Sequence, residues 1–337
     1  MRLSNVSKRC KLLALGAAAV LSLGLMAGCG SSDQSASSSS GKNYKIGIVQ
    51  LVEHNALDAA NKGFVDGLKE RGFEEGKNIT IDRQNAQADQ SNLQNIAQRF
   101  VSAKMDLICA IATPAAQTMA NATHDIPIVG TAITDYEGAK LVASNKEPKG
   151  NVTGTSDMNP VKEQIDLLLK IKPDAKTIGT VYCSSEVNSE VQVKAMKEYA
   201  ESKGLTVKVA TISTVNDIQQ AAQSLVGSVD AFYEPTDNII ASAMPTLVDI
   251  TNAAKIPVIC GEPNMVKAGG LATYGIDYYK LGVQTGHMAA DILEGKKPSS
   301  MPIEMAKDLK VTVNKANAAL LGITFPEDVL KDADIIE

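Results

Sequence analysis

The chain has 337 residues, 44% of them hydrophobic, and 33 basic residues against 38 acidic ones give it a net charge of −5. This composition is too apolar for a disordered chain, and the length predicts two domains rather than one. The acidic balance, without a run of lysine or arginine in the body of the chain, argues against nucleic acid as a partner.

The first 28 residues have the composition of a secretory signal peptide. Basic residues near the start precede an apolar run, Leu12 to Ala27, which is short for a membrane-spanning helix of about 20 residues. Leu25-Met26-Ala27-Gly28 directly before Cys29 matches a lipobox, so we expect Cys29 to be lipidated. An ordinary signal peptide followed by an unrelated cysteine is the alternative. Residues 29–43 are rich in serine and glycine, which is typical of a flexible tether.

From Tyr44 onward, apolar strands alternate with amphipathic helices. The pattern of the first half predicts strands at Tyr44–Gln50, Asn78–Asp82, Asp106–Ala112 and Ile126–Ile133, and helices at Leu57–Gly72, from Ser91 onward and at Thr113–His124. Ser91 and Gln94 have the spacing of a capping box at the start of the second helix. This alternation is typical of βαβ units in a parallel sheet.

The same alternation begins again at a short strand, Asn151–Thr155. Helices are predicted at Val161–Ile171, Ser189–Lys203, Asp217–Val226 and Asn238–Lys255, and strands at Thr177–Tyr182, Thr206–Ile212, Asp230–Tyr233 and Ile256–Cys260. Pro245 lies inside the last of these helices and is expected to kink or split it. A strand at Leu271–Tyr274 and a helix at Tyr278–Glu294 are expected to cross back to the first half, and the tail after Pro302 to return to the second.

The two halves repeat one order of strands and turns, which favours an internal duplication. Asp106-Leu-Ile, Ala112-Thr-Pro and Ile126-Pro-Ile-Val-Gly in the first half correspond to Asp230-Ala-Phe, Glu234-Pro-Thr and Ile256-Pro-Val-Ile-Cys-Gly in the second. We therefore predict an α/β fold with two doubly wound parallel-sheet lobes joined by three crossing segments. Residues 44–153 plus 273–300 are expected to form the first lobe, and residues 154–272 plus 301–337 the second.

The cysteines and histidines indicate neither a disulfide framework nor an enzyme. Cys109, Cys183 and Cys260 each lie in or at the end of an apolar run, as buried free thiols do. The three histidines, at positions 54, 124 and 287, lack the spacing of a metal site or of a Ser-His pair. No G-x-G-x-x-G follows the first strand. We therefore expect no catalytic residue, no cofactor and no metal.

Six stretches carry a resemblance to a known family: Gly47–His54, Ala112–Gln117, Asn151–Gly154, Glu186–Ser189, Pro235–Asn238 and Gly275–Tyr279. Together they resemble the ABC-transporter substrate-binding lipoproteins of the tryptophan/tyrosine type, over essentially the whole folded body. Two positions depart from the family pattern: Tyr136 replaces a usual proline, and Cys183-Ser184-Ser185 replaces an Asn-Pro-Gly-like turn. Both are expected to lie at the cleft between the lobes.

The resemblance implies the periplasmic-binding-protein type I fold and a solute receptor. Such a receptor binds an aromatic or branched amino acid in the interlobe cleft and delivers it to a membrane permease. The protein is accordingly expected outside the cell membrane of a bacterium, held there by its lipid anchor, and to be a monomer. A tethered sensing ectodomain of the same fold, acting on a signalling partner, is the alternative function.

In open parallel sheets, ligands bind beyond the carboxyl ends of the strands, so the residues that follow each strand are the candidate site. Helix N-termini suit the carboxylate of an amino acid, and two helix starts, Thr113-Pro114-Ala115 and Asn188-Ser189, offer them. Asp237 is the favoured partner of the ammonium group, ahead of Glu53 and Asp277. Plain helix capping is the alternative role for these residues.

Glu53 and His54 are predicted either to line the apolar part of the pocket or to cap the first helix. The loops after the strands, together with the resemblance, complete the predicted ligand-binding set with Gln117, Asp135, Glu186, Thr236 and Asn238.

Overall fold

Two β-sheets with paired helices organise the chain. The computed structural model describes residues 42–307 and 309–337, so the predicted signal peptide, Cys29 and most of the tether lie outside the described residues. The strands are β1 (Tyr44–Gln50), β2 (Ile79–Asn85), β3 (Leu107–Ile111), β4 (Ile128–Ile133), β5 (Val152–Ser156), β6 (Thr177–Cys183), β7 (Thr206–Ile212), β8 (Ala231–Glu234), β9 (Val258–Cys260), β10 (Ala272–Gly275), β11 (Glu304–Met305), β12 (Lys310–Asn314) and β13 (Asp334–Ile336).

The helices are α1 (Asn55–Glu70), α2 (Gln90–Ser102), α3 (Thr113–Ala122), α4 (Val161–Ile171), α5 (Val187–Ser202), α6 (Ile218–Leu225), α7 (Asn238–Ser242), α8 (Met244–Ala253), α9 (Pro263–Lys267), α10 (Tyr278–Leu293), α11 (Lys315–Leu321) and α12 (Glu327–Leu330). In the first lobe α1 packs on α10 and α2 on α3, and in the second lobe α4 packs on α5 and α6 on α8. Among the described residues, no helix combines the length and the apolar character that a membrane crossing requires.

The strand orders confirm the duplicated α/β fold. The first sheet has the order β11-β5-β4-β3-β1-β2, and the second β13-β12-β10-β9-β8-β6-β7. Read from the opposite edges, β2-β1-β3-β4-β5 matches β7-β6-β8-β9-β10, with parallel pairing throughout both runs. The second sheet then departs from a purely parallel arrangement, because β12 pairs antiparallel to β10.

The repeat extends to individual hydrogen bonds. Asp106 Oδ2, just before β3, accepts from the N–H of Lys45 at 2.8 Å. Asp230 Oδ2, just before the equivalent β8, accepts from the N–H groups of Lys176 and Thr177, each at 2.8 Å. In both lobes the aspartate thus ties the start of the inner strand to the strand beside it.

Two predicted helix details have different outcomes. The helix predicted at Asn238–Lys255 is divided into α7 and α8 at Ala243, next to Pro245, as expected for an interior proline. The Ser91–Gln94 capping box is wrong, because α2 begins one residue earlier and its cap is Asp89. Asp89 has an extended backbone, and its Oδ1 accepts from the N–H of Asn92 at 2.8 Å.

Three chain crossings join the lobes. The chain leaves the first sheet after Ser156 at the end of β5, returns after Gly275 at the end of β10, and leaves again after Met305 at the end of β11. These points lie a few residues beyond the predicted boundaries at 153/154, 272/273 and 300/301. The difference arises because strand pairing, rather than local composition, decides to which sheet each short segment belongs.

Close contact between α1 and α10 fastens the second crossing to the first lobe. A Cβ atom added at Gly63 would lie 2.1 Å from the carbonyl oxygen of Tyr279, and one added at Gly282 would lie 2.1 Å from that of Ala60. Only glycine permits backbones this close, so α10 is held against α1 directly after the chain returns.

The core of each lobe is apolar and encloses the cysteines. Cys109 in β3, Cys183 in β6 and Cys260 in β9 are buried and free, which confirms the prediction made from their apolar neighbours. Tyr136 is also fully buried in the core of the first lobe, where its hydroxyl donates to the carbonyl oxygen of Thr155 at 3.0 Å. Its ring lies against Gly130 and Gly154 and outside the wall of the interlobe cavity, contrary to the expectation of a cleft position.

Candidate ligand-binding site

A small cavity of about 10 Å³ lies between the lobes, at the carboxyl ends of the inner strands. It is lined by His54, Ala56, Leu57, Ala132 and Thr134 of the first lobe, by Asp157 and Tyr278 at the crossings, and by Asn188, Thr236, Asp237, Asn238, Ala241 and Glu262 of the second lobe. The wall thus contains three carboxyl groups and several apolar side chains, and it contains no lysine or arginine. Such a lining suits a ligand with a positive group and an apolar part.

Asp237 follows β8, caps α7 and lines the cavity. Its Oδ1 accepts from the N–H of Ile240 at 2.9 Å, which is the capping bond. Its Oδ2 accepts from the N–H of Cys183 and from the hydroxyl of Ser189, each at 2.7 Å. Burial, the largest influence on this group, raises the pKa of Asp237. The residue is therefore an N-cap and a wall residue at once.

Glu186 lies behind the wall, where it holds two of the lining amides. Its carboxyl oxygens accept from Asn188 Nδ2 at 2.8 Å and from Asn238 Nδ2 at 2.6 Å. They also accept from the backbone N–H groups of Asn238 and Ile239 at 3.1–3.2 Å. Glu186 thus accepts from N–H groups at the start of α7, and burial, with the nearby carboxyl group of Asp237, raises its pKa.

Two hydrogen bonds cross the cleft and hold the lobes together. His54 Nε2 lies 3.2 Å from Asn238 Oδ1. Gln192 Nε2, on α5 of the second lobe, donates to Thr134 Oγ1 of the first at 3.3 Å. The first lobe therefore contacts the second through the residues that follow β1 and β4.

A polar network continues from Thr134 into the crossings. Thr134 donates to Asp157 Oδ1 at 3.0 Å, and Tyr278 donates to Asp157 Oδ2 at 2.6 Å. Burial raises the pKa of Asp157. Glu262 adds a third lining carboxyl, which caps α9 by accepting from the N–H groups of Asn264 and Met265, and burial raises its pKa to about 7.

The N-terminus of α3 lies at the same edge of the first sheet as two residues of the cavity wall. β3 ends between β1 and β4, whose following residues His54 and Thr134 line the cavity. Thr113 at the start of α3 is buried, and its hydroxyl has no hydrogen-bond partner among the described residues. No acidic residue lies in the first turn of α3, so its N–H groups and positive dipole end stay available to an anion.

The helix start at Asn188-Ser189 differs from α3 because its side-chain donors are already committed. Asn188 Nδ2 donates to Glu186 and to the carbonyl oxygen of Thr236, and Ser189 donates to Asp237. Two helix starts are predicted to bind a carboxylate. Of these, the start of α3 is the one whose hydrogen-bond donors are not already committed.

The structure places the remaining predicted residues away from the cavity wall. Pro114 and Gln117 line a groove beside α3 that also contains Ser185 of the second lobe, and Ala115 is buried inside the lobe. Asp135 accepts from the N–H of Gly138 in a turn. Glu53 is exposed, and the exposed Asp277 caps α10 by accepting from the N–H of Lys280 at 3.1 Å.

The predicted residue set omits several wall residues, namely Ala56, Leu57, Ala132, Thr134, Asp157, Ala241, Glu262 and Tyr278, together with the cross-cleft Gln192. Glu262 and Thr134 stand directly after strands and share the signal that pointed to Asp237. Asp157 and Tyr278 reach the cavity only because the crossings run beside it. Within residues 42–307 and 309–337, no group of three or more His, Cys, Asp or Glu is placed to hold a metal ion.

Comparisons with known proteins agree with this arrangement. The family model for ABC transporter substrate binding proteins matches residues 45–336. A protein of Clostridioides difficile named tyrosine-binding protein is 45% identical over 311 residues, which cover 90% of each chain.

Two solved structures are also similar. One is an ABC domain from Streptococcus pneumonia in complex with L-Trp, 43% identical, which superposes with a TM-score of 0.85 over 88% of this chain and 100% of that one. The other is a ligand-free, open substrate binding protein with adhesive properties from Clostridium difficile, 48% identical, with a TM-score of 0.68 over 87% of this chain and 99% of that one.

Proposed function

Because this chain belongs to the family of ABC transporter substrate-binding proteins, we propose that it is the extracytoplasmic receptor of an importer and binds an aromatic amino acid. The observation that carries the proposal is the polarity of the interlobe cavity. Its wall has buried carboxyl groups and no lysine or arginine, while the N-terminus of α3, where the Thr113 hydroxyl has no partner among the described residues, lies at the same sheet edge as the wall residues His54 and Thr134. The two sides match the ammonium and the carboxylate of one amino acid.

We assign the ammonium group of the ligand to the part of the cavity next to Asp237. The carboxyl groups of Asp237, Asp157 and Glu262 all line the cavity, so a positive group placed there gains several acceptors. The carboxylate is assigned to the N-terminus of α3, since Asn188 and Ser189 already donate to Glu186 and Asp237. The apolar wall of Ala132, Ala241 and Leu57 remains for the side chain of the ligand.

The relatives support an aromatic ligand and closure around it. One relative is named a tyrosine-binding protein, and another structure contains L-Trp. The chain superposes more closely on that L-Trp complex than on the open, ligand-free relative, although the latter is more similar in sequence. A closer superposition on the ligand-bound structure than on the open one is expected when the two lobes are closed on the cavity. The His54–Asn238 and Thr134–Gln192 contacts also indicate closed lobes.

Calorimetric titration with L-Trp and L-Tyr tests the proposal. The wild-type protein should bind at least one of them. Asp237→Ala should weaken that binding by about 30-fold to several thousand-fold, because removing one member of a desolvated charge pair costs about 2–5 kcal/mol. It should also lower the free energy of unfolding by about 1–3 kcal/mol, because the N–H groups of Cys183 and Ile240 lose their acceptor.

Asp89→Ala is the matched control, since Asp89 caps α2 through the same kind of bond and lies outside the cavity. It should cost about 0.5–2 kcal/mol of stability and leave affinity within about threefold. A wild-type protein that binds neither amino acid contradicts the function. If only the Asp237→Ala affinity stays within about threefold of wild type, the ammonium partner lies elsewhere.

We also propose that the protein is a monomer anchored to the outer face of the membrane through lipidated Cys29, with residues 1–28 removed as a signal peptide. The lipobox Leu25–Gly28 and the serine-rich stretch that follows support this. Cys29→Ala should move the protein from the membrane fraction to the soluble fraction without changing its unfolding midpoint, and the soluble form should elute as one chain. Cys29→Ala protein that remains in the membrane fraction would contradict lipid anchoring.

A further inference from the structure

The side-chain amide of Asn238 has one consistent orientation. Its Nδ2 donates to a carboxyl oxygen of Glu186 at 2.6 Å, and the same oxygen accepts from Asn188 Nδ2 at 2.8 Å. All the described polar neighbours of the Glu186 carboxyl oxygens are N–H donors. Turning the amide of Asn238 over would place its carbonyl oxygen against this acceptor. Asn238 Oδ1 therefore faces His54 across the cleft.

This orientation decides which nitrogen of His54 carries the proton. Asn238 Oδ1 is only an acceptor, so His54 Nε2, 3.2 Å away, must be the donor. Burial, which disfavours the charged ring, lowers the pKa of His54. The ring is then neutral at pH 7, with its proton on Nε2 and a lone pair on Nδ1.

Nδ1 of His54 has no hydrogen-bond partner among the described residues. His54 precedes α1 directly, but its side chain makes no capping bond to that helix. The ring forms part of the cavity wall near the apolar side chains of Leu57, Ala132 and Ala241. A bound side chain in this part of the cavity would meet a neutral ring with one open acceptor.

We propose that His54 Nδ1 accepts a hydrogen bond from the ligand's side chain, so that the site selects aromatic amino acids that carry a donor over phenylalanine. The donor would be the phenol O–H of tyrosine or the indole N–H of tryptophan. Glu186 acts in this scheme as a positioning residue, which fixes His54 through Asn238 without touching the ligand. The inference rests on the proposed function and adds the chemical class of the ligand's side chain.

Two substitutions of His54 test the roles of its two ring nitrogens separately. His54→Gln can place a side-chain N–H near the position of Nε2 and keep the contact to Asn238, but it has no acceptor at the position of Nδ1. His54→Asn can place its carbonyl oxygen near the position of Nδ1, but it is too short to reach Asn238. The pair therefore removes the acceptor and the cross-cleft contact one at a time.

Calorimetric affinities for L-Tyr, L-Trp and L-Phe provide the test. The wild-type protein should prefer L-Tyr or L-Trp over L-Phe by at least about fivefold, because the side chain of L-Phe has no donor for Nδ1. In His54→Gln this preference should fall below about twofold, with the affinity for L-Phe little changed. In His54→Asn the preference should persist, while all affinities fall with the loss of the Asn238 contact.

Nitrogen NMR of the histidine ring gives a second readout that a merely structural role would not move. It should show a protonated Nε2 and an unprotonated Nδ1 that shifts when L-Tyr or L-Trp binds. Equal wild-type affinities for L-Tyr, L-Trp and L-Phe, or an unchanged preference in His54→Gln, would overturn this inference and leave the proposed function standing. A wild-type protein that binds none of the three would overturn both.

Discussion

Buried carboxyl groups dominate the second lobe at the level of single residues. Glu186, Glu234, Asp237 and Glu262 are all at most 2% exposed, and their described partners are N–H and O–H donors rather than basic side chains. Glu234 accepts from the N–H of Val181 with one oxygen, and its other oxygen has no partner among the described residues. Burial raises the pKa of all four groups.

This burial predicts a particular dependence of stability on pH. Glu262, with a pKa of about 7, keeps its proton in the folded state below that pH, whereas in the unfolded chain glutamate ionises near its ordinary value of 4.5. Between those values the folded state binds more protons, so the free energy of unfolding should fall as pH rises from about 5 to 7. Glu262 contributes at most about 1.4 kcal/mol per pH unit.

Urea unfolding of the ligand-free protein at several pH values measures the effect. His54 has the opposite sign, because its pKa is lowered and its stabilising contribution grows as pH rises toward its ordinary value of 6.5. The useful quantity is therefore the difference in the free energy of unfolding between wild type and Glu262→Gln, which cannot titrate at that position. As pH rises from about 5 to 7, the free energy of unfolding of the wild type should fall relative to that of the variant. A difference that is constant from about pH 5 to 7 would contradict the assignment of a raised pKa to Glu262.

At the scale of helices and strands, most of the architecture could be predicted from the sequence. The alternation of apolar strands with amphipathic helices gave the parallel sheets, and the repeated Ile-Pro strands correspond to β4 and β9, which occupy equivalent places. The repeated aspartates Asp106 and Asp230 make equivalent bonds to a neighbouring strand. These features are local in sequence, so a pattern of a few residues reports them.

Elements that depend on distant pairing could not be predicted in the same way. β12 and β13 are short. β12 takes its place in the second sheet by pairing with β10, which precedes it by more than thirty residues, and β13 takes its place by pairing with β12. For the same reason, the crossings lie a few residues beyond the predicted boundaries. α9 is only five residues long and begins with a proline, so it gives no periodic signal.

The binding site, too, could be predicted from the sequence only in part. The residues after β8 could be predicted, because ligands meet parallel sheets at that edge. The sequence does not reveal in which direction each of these side chains points: Glu53 and Glu262 both follow strands, yet Glu53 is exposed and Glu262 lines the cavity. Wall residues such as Asp157 and Tyr278 depend on how the crossings run between the lobes.

At the scale of the whole molecule, the crossings and the cavity form one connected structure. The hydroxyl of Tyr278, at the start of α10, donates to Asp157 just after β5, and so links two of the three crossings directly at the cavity wall. The cross-cleft contacts of His54 and Gln192 meet the same region from the two lobes. The contacts between the lobes are therefore made by residues of the binding site and its immediate neighbours.

The central claim is that the residues lining this cavity bind an aromatic amino acid. The chain contains no tryptophan, so indole fluorescence in a mixture with L-Trp comes from the ligand alone. Titration of L-Trp with the protein should shift the indole emission to shorter wavelength, saturate at one ligand per chain, and be reversed by an excess of L-Tyr. Indole emission that stays at its value in water, at protein concentrations far above that of L-Trp, together with no calorimetric binding of L-Tyr, would contradict the account.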